Sequence, residues 1–141
     1  MQTFLEASAG DYMTRIVQTV KRETTMSELQ KLFDEADFNG FPVRENGDIV
    51  GLVTKSDFLK CFAVALGRRS PNYGDLLSQR VAEVMTYEFI YVDPETKLTR
   101  VLELMVAHQI ESIPVLNSEE QLVGVIARKD IMKALMNCEW K

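Results

Sequence analysis

The chain has 141 residues, enough for one ordinary domain or for two half-sized units that share a core, and too few for two independent domains. Hydrophobic residues make up 46% and charged residues 26%, the balance of a globular protein and not of a disordered one. The formal net charge of -5 speaks against nucleic acid as a partner, because such binding needs an excess of Lys and Arg to neutralise phosphates. No apolar stretch approaches the roughly 18 to 20 residues of a membrane span, and the start MQTFLEASAGDYMT has no secretory-signal pattern. A cytoplasmic location with no membrane partner is therefore expected.

In chain order, a short strand is expected over 16–20. A helix over 25–37 follows, capped by Thr24 or Thr25, with Glu28 completing a capping box if Thr25 is the cap. Its apolar stripe is Met26, Leu29, Leu32, Phe33 and Ala36. Strands over 40–44 and 49–54 are joined at Asn46-Gly47, a pair whose positive φ suits a tight hairpin. A second amphipathic helix spans 56–67, with Phe58, Leu59, Phe62, Ala63 and Leu66 on one face. The segment GRRSPNYGDLLSQR ends that helix through its Gly, Pro and Asn, and Leu76 and Leu77 begin a short one.

The second half repeats this order. DYMT at Asp11–Thr14 returns as EVMT at Glu83–Thr86, and GFPV ending at Val43 returns as SIPV ending at Val115, both displaced by 72. GLVTKSD from Gly51 returns as GVIARKD from Gly124, displaced by 73. The extra residue falls in the polar loop Asn117–Gln121, where an insertion costs little. The helix stripe returns as Leu98, Val101, Leu104, Met105 and His108, after a start supplied by Asp93-Pro94-Glu95-Thr96, and the last helix carries Ile131, Met132, Leu135 and Met136. The predicted fold is mixed α/β (α+β): two β-α-β-β-α repeats, related by a pseudo-twofold axis and packed through their sheets. Residues 1–70 hold the first repeat with its N-terminal segment, 71–80 a linker and 81–141 the second repeat.

These paired motifs, the MT entries, the two strand-borne PV stretches, and the G-h-x-T-x-x-D segment GLVTKSD with its counterpart GVIARKD, resemble a tandem pair of CBS domains (a Bateman module) of the small stand-alone type, from about Tyr12 to Met136. The resemblance implies a regulatory sensor with two clefts for adenosine compounds, and a homodimer that passes occupancy on to a regulated protein. The ligand would be AMP, ADP or ATP, with Mg as a companion ion, or S-adenosylmethionine; a ligand-free interaction scaffold is the alternative. It is a ligand and not a cofactor.

By the family pattern, the ribose hydroxyls would donate to the carboxylate of Asp57 or Asp130. Thr54 adds a hydroxyl, and the amides opening the next helix add donors for phosphate. With Asp57 the pattern groups Leu52, Thr54, Ser56, Thr86, Ile90, Ile110, Glu111 and Ser112. With Asp130 it groups Thr14, Gln18, Phe38, Asn39, Gly40, Val125, Arg128 and Lys129. Ala127 stands where the first repeat has Thr54, so the Asp130 cleft is expected to be the weaker one. As the lesser alternative to ligand binding, both aspartates would serve as helix-terminal carboxylates favoured by the dipole, and both glycines as marks of bulges or close strand packing.

Lys55, Lys60, Arg68, Arg69, Arg128, Lys129 and Lys133 gather around the two second helices, as a phosphate-attracting rim or as a solvated face. Cys61 and Cys138 read as buried thiols, and His108 as a packed or edge imidazole. No Ser-His-Asp set, metal-ligand cluster or GxxxxGK loop is present to suggest an enzyme or a metal site.

Overall fold

A computed structural model describes residues 2–67 and 72–139; Arg68, Arg69 and the first residue of the expected linker lie outside the described residues. The elements run α1 (Ala9–Tyr12), β1 (Val20–Lys21), α2 (Met26–Glu35), β2 (Gly40–Glu45), β3 (Asp48–Thr54), α3 (Lys55–Leu66), α4 (Tyr73–Ser78), α5 (Val81–Val84), α6 (Leu98–His108), β4 (Ser112–Leu116), β5 (Leu122–Ala127) and α7 (Arg128–Asn137). They form two compact units: a continuous one, Gln18–Phe89, and a split one, Met1–Val17 with Ile90–Lys141. The units cut across the repeats in sequence. The entry stretch of each repeat packs in the unit that holds the bulk of the other.

In the continuous unit, β1 pairs in parallel with β2, and β2 pairs antiparallel with β3. Asn46 and Gly47 both take positive φ (51° and 85°) between the paired residues Glu45 and Asp48, as a tight two-residue hairpin demands. Thr25 is the cap of α2: its hydroxyl accepts from Glu28 N at 3.2 Å, while the Thr24 hydroxyl accepts from Lys21 N in the turn before. Phe41, Val43, Val53, Met26 and Leu29 are sealed in the core of this unit.

The split unit has the antiparallel pair β4 and β5, over a core that includes Phe4, Ala7, Leu98, Val101, Ile113 and Ile126. Its hairpin loop is held by the Asn117 carboxamide oxygen, which accepts from Glu119 N and Gln121 N at 2.9 Å each. Helix α6 starts at Leu98 with Lys97 as an uncapped N-cap; Asp93 and Thr96 form the turn before it.

Several expectations are corrected. The first strand of each repeat shrinks to Val20–Lys21 in one and a single bridge, Val92 to Val115, in the other; Ile16, at 89% exposure, has nothing to pair with. The inward face of α3 is Phe58, Cys61, Phe62 and Ala65, so Leu59 and Leu66 point outward. Likewise α7 buries Ile131 and Ala134 and leaves Met132 and Met136 exposed. The offset of one or two residues matters because a residue one step along a helix turns by 100°. Cys61 is only half-buried, and His108 is exposed in the last turn of α6.

Helices α1 and α5 escape the periodicity reading because four residues hold no period. Their placement obeys the repeat. Met26 N donates to Gln79 O and Val81 N to Thr24 O in one unit; Leu98 N donates to Ala7 O and Ala9 N to Thr96 O in the other. Each bond joins residues 72 positions from its twin.

The close approach of the entry stretch to the sheet explains both motif glycines. A Cβ on Gly51 would lie 2.9 Å from Thr86 O and 3.0 Å from Met85 Sδ; on Gly124 it would lie 2.9 Å from Thr14 O and 2.7 Å from Met13 Sδ. The Met-Thr pair therefore lies directly against the glycine, and the threonine forms a two-bond bridge to the next strand residue: Thr86 with Leu52 and Thr14 with Val125. Gly124→Ala is expected to lower stability by about 1–3 kcal/mol, the cost of overpacking, as read from the denaturation midpoint.

Asp11 caps α1 by accepting from Ser8 N at 2.9 Å, and this bond, aided by the Gln2 amide, holds its carboxyl below the usual value. A lowered folded-state pKa gives stability that is present above the unfolded value of about 3.9 and lost as pH falls through the folded one. Asp11→Asn should flatten the acid limb of stability against pH below about 4, with little change in its shape near neutrality.

Candidate functional site

Each G-to-D segment is a strand running straight into a helix. Strand β3 ends at Thr54, the N-cap of α3, and β5 ends at Ala127, the N-cap of α7. The motif spacing puts the aspartate at the third helical position, where a carboxylate reaches back to the cap amide. Asp57 Oδ2 accepts from Thr54 N at 2.9 Å, and Asp130 Oδ2 accepts from Ala127 N at 2.8 Å. The helix-terminal role foreseen for these residues is thus filled in both repeats.

The other oxygen of each carboxylate faces a threonine of the Met-Thr entry. Thr86 Oγ1 lies 3.4 Å from Asp57 Oδ1 and 3.5 Å from its anchored Oδ2, and Thr14 Oγ1 lies 3.4 Å from Asp130 Oδ1. These are long contacts for hydroxyl donors, which normally close to about 2.7–2.8 Å, so this edge of the carboxylate retains acceptor capacity. The arrangement concentrates a carboxylate, a hydroxyl and the positive end of a helix dipole in one place, with the first helical amide already given to the carbonyl of Asn39 or Glu111. Such a set can accept from a vicinal diol and donate to an anion.

The two junctions differ. Thr54 accepts from Asp57 N at 3.1 Å, which completes the capping box, and Asp57 is half-buried. Ala127 offers no such oxygen, and Asp130 is only 8% exposed. The Thr54 hydroxyl is therefore partly committed to its own helix, and it keeps its proton and a second lone pair for anything else.

With Asp57, the continuous unit brings together Leu52, Thr54, Ser56 and Thr86. With Asp130, the split unit brings together Thr14, Val125, Arg128 and Lys129. The remaining residues that the resemblance assigned lie in the other unit in each case: Ile90, Ile110, Glu111 and Ser112 in the split one, Gln18, Phe38, Asn39 and Gly40 in the continuous one. There they serve their own repeat. Asn39 O accepts from Lys55 N and Glu111 O from Arg128 N, at matching positions. Gly40 pairs with Thr54 and Ser112 with Ala127, Phe38 meets the ring of Phe41 edge-on at 6.0 Å, and Ile110 packs on the split unit's core. The Gln18 amide donates to Thr19 O at 3.3 Å.

Sequence reasoning missed one partner. Arg128 donates to Glu111 at 2.5 Å, an ion pair whose counterparts in the other repeat are Lys55 and Asn39. The pair was legible only as two opposite charges at the ends of adjacent elements. Among the described residues no cluster of His, Cys, Asp and Glu could hold a metal, and no helix is long and apolar enough to cross a membrane.

A family model described as "CBS domain" matches residues 9–64 and 81–137. The chain is 30% identical over 134 residues to the CBS domain-containing protein YhcV of Bacillus subtilis, covering 94% of this chain and 89% of that one. It is 26% identical over 126 residues to protein MJ1225 of Methanocaldococcus jannaschii, covering 87% of this chain but spanning only 45% of that relative's length. The crystal structure of MJ1225 superposes with a TM-score of 0.87 at 25% identity, over 94% of this chain and 49% of that one. A crystal structure of CBSX2 in complex with AMP shares the fold, with a TM-score of 0.77 at 24% identity over 92% of this chain and 96% of that one.

Ala127→Thr should supply the missing cap oxygen of α7 and raise stability by about 0.5–2 kcal/mol, while Thr54→Ala should lower it by a similar amount. Denaturant melts of both variants against wild type check the pair.

Proposed function

The chain belongs to the CBS-domain family, and from that premise we propose that it is a regulatory sensor of an adenosine nucleotide, bound at the junctions that carry Asp57 and Asp130. What supports this reading most is the doubled junction. In each, a carboxylate already anchored through one oxygen turns its other edge to a threonine hydroxyl from the opposite repeat's entry stretch. A ribose supplies two adjacent hydroxyl donors for that edge, and the positive end of the helix dipole beside it suits a phosphate. AMP, ADP and ATP are the ligands of first choice. S-adenosylmethionine is the second, because Arg128 is held by Glu111 and less available to a phosphate in the split unit.

The Asp57 junction is the stronger one in this reading. Asp57 is more exposed than Asp130, its neighbour Thr54 keeps a hydroxyl proton, and Lys55 forms no ion pair among the described residues. Occupancy shifts an equilibrium only by its differential affinity for two states, so the readout needs a partner surface that senses the shift. The outward apolar residues of α3 (Leu59, Val64, Leu66) and of α7 (Met132, Met136) suit a second copy of the chain or a regulated protein. No catalytic step is assigned to the chain.

The second reading, a ligand-free scaffold, draws on the capping role that Asp57 and Asp130 already fill. Thermal shift with AMP, ADP, ATP and S-adenosylmethionine separates the two. A ligand at 1,000 times its dissociation constant should stabilise the fold by about 4.1 kcal/mol. Thr86→Val, which spares the cap, should weaken the response at the Asp57 junction, and Asp57→Asn should weaken it further while the helix keeps an acceptor at that position. No response to any of the four at millimolar concentration favours the scaffold; a response unchanged in Asp57→Asn and in Asp130→Asn removes the proposed sites.

A further inference from the structure

The continuous unit contains a hollow of about 280 Å³ of which the nucleotide reading uses only Asp57. It lies beyond Asp57 along α3, walled by Cys61 and Ala65 of that helix, Leu76 of α4, Gln79, and Val84 of α5, with Asp57 and Lys60 at one side. The repeat shows what belongs there. Val84 and Tyr12 are the last residues of the matching short helices α5 and α1, and Leu76 corresponds to Phe4 at the same displacement. In the last helices, Ala65 corresponds to Cys138 and Cys61 to Ala134.

In the split unit these larger residues pack together. The Tyr12 hydroxyl meets Cys138 Sγ at 3.5 Å, and Phe4, Ala134 and Cys138 belong to one buried cluster against which Tyr12 packs. In the continuous unit, the replacement of Tyr12 by Val84 deletes an aromatic ring with its hydroxyl, and that of Phe4 by Leu76 deletes another. The wall becomes more polar at the same time, because Gln79 and Cys61 replace two alanines, Ala7 and Ala134, and the Cys61 thiol donates to Gln79 Oε1 at 2.8 Å.

We propose that this hollow is a second ligand site, adjoining the Asp57 junction and sharing only that residue with it, which takes a small planar aromatic molecule bearing a hydrogen-bonding substituent such as a phenol. The size fits: an apolar cavity of about 150 Å³ already accepts a benzene ring. The polarity fits as well. With its carbonyl oxygen engaged by Cys61, Gln79 has amide protons to offer a ring oxygen, as Cys138 meets the hydroxyl of Tyr12 in the twin. A pocket of mainly apolar wall with one or two placed polar groups is the usual form of a small-molecule site.

The probe is p-cresol, the tyrosine side chain as a free molecule. It is expected to raise the melting temperature of wild type, and to slow alkylation of Cys61, followed by mass spectrometry of the Cys61 peptide, about tenfold at nine times its dissociation constant. Val84→Tyr, which rebuilds the packing of the twin, is expected to melt higher than wild type and to lose the p-cresol response. Its response to nucleotide, if wild type has one, should persist, so failure of either site is read independently of the other. The proposal is overturned if millimolar p-cresol changes neither melting nor Cys61 alkylation in wild type, or if Val84→Tyr folds and responds to p-cresol as wild type does. Should Val84→Tyr fail to fold, the Cys61 protection decides alone.

Discussion

The contact between a motif glycine and a Met-Thr pair organises both units. Only the absence of a side chain at Gly51 and Gly124 lets Met85 and Met13 lie flat on the strand. That approach lets Thr86 and Thr14 pair with Leu52 and Val125, and the pairing in turn holds each threonine hydroxyl 3.4 Å from an aspartate three residues beyond the strand end. Close packing, strand pairing and site geometry are thus one event. A change that lifts the entry stretch off the sheet would disturb all three together.

The same device makes each half depend on the other in sequence. The short helices α1 and α5, which precede the Met-Thr pairs, close the helix starts of α6 and α2 by exchanging main-chain hydrogen bonds. A helix leaves its first amides without partners, and here the opposite repeat supplies a carbonyl for one of them. A single repeat cut at its own boundaries would lose that carbonyl and the residues that cover its core, among them Val81 and Met85 for one and Ala9 and Met13 for the other.

Duplication followed by divergence is visible in what surrounds the shared frame. The split unit buries Asp130, lacks the cap oxygen on α7 and holds Arg128 with Glu111; the continuous unit keeps Thr54, a more open Asp57 and an unfilled space where its twin has two rings. Buried polar groups are tolerated when hydrogen-bonded, and Asp130 meets that condition through Ala127 N and Thr14. The more open junction and the hollow fall in the same unit.

The sequence alone carried the repeat, its displacement of 72 and 73, the hairpin at Asn46-Gly47 and the strand-to-helix placement of both aspartates. These rest on local rules, since positive φ, capping and periodicity act within a few residues. It also carried the capping role of Asp57 and Asp130 as one of two readings. Tertiary structure decided which helix faces turn inward, because a stripe in α3 or α7 can be read one step off until the sheet beneath it selects Cys61 and Ala65, or Ala134. Only the folded chain could show that the entry stretch of each repeat packs with the other, that Arg128 finds Glu111, and that Val84 leaves a space which Tyr12 fills in its twin. Those are contacts between residues distant along the chain, and their outcome depends on volumes and distances that no local pattern encodes.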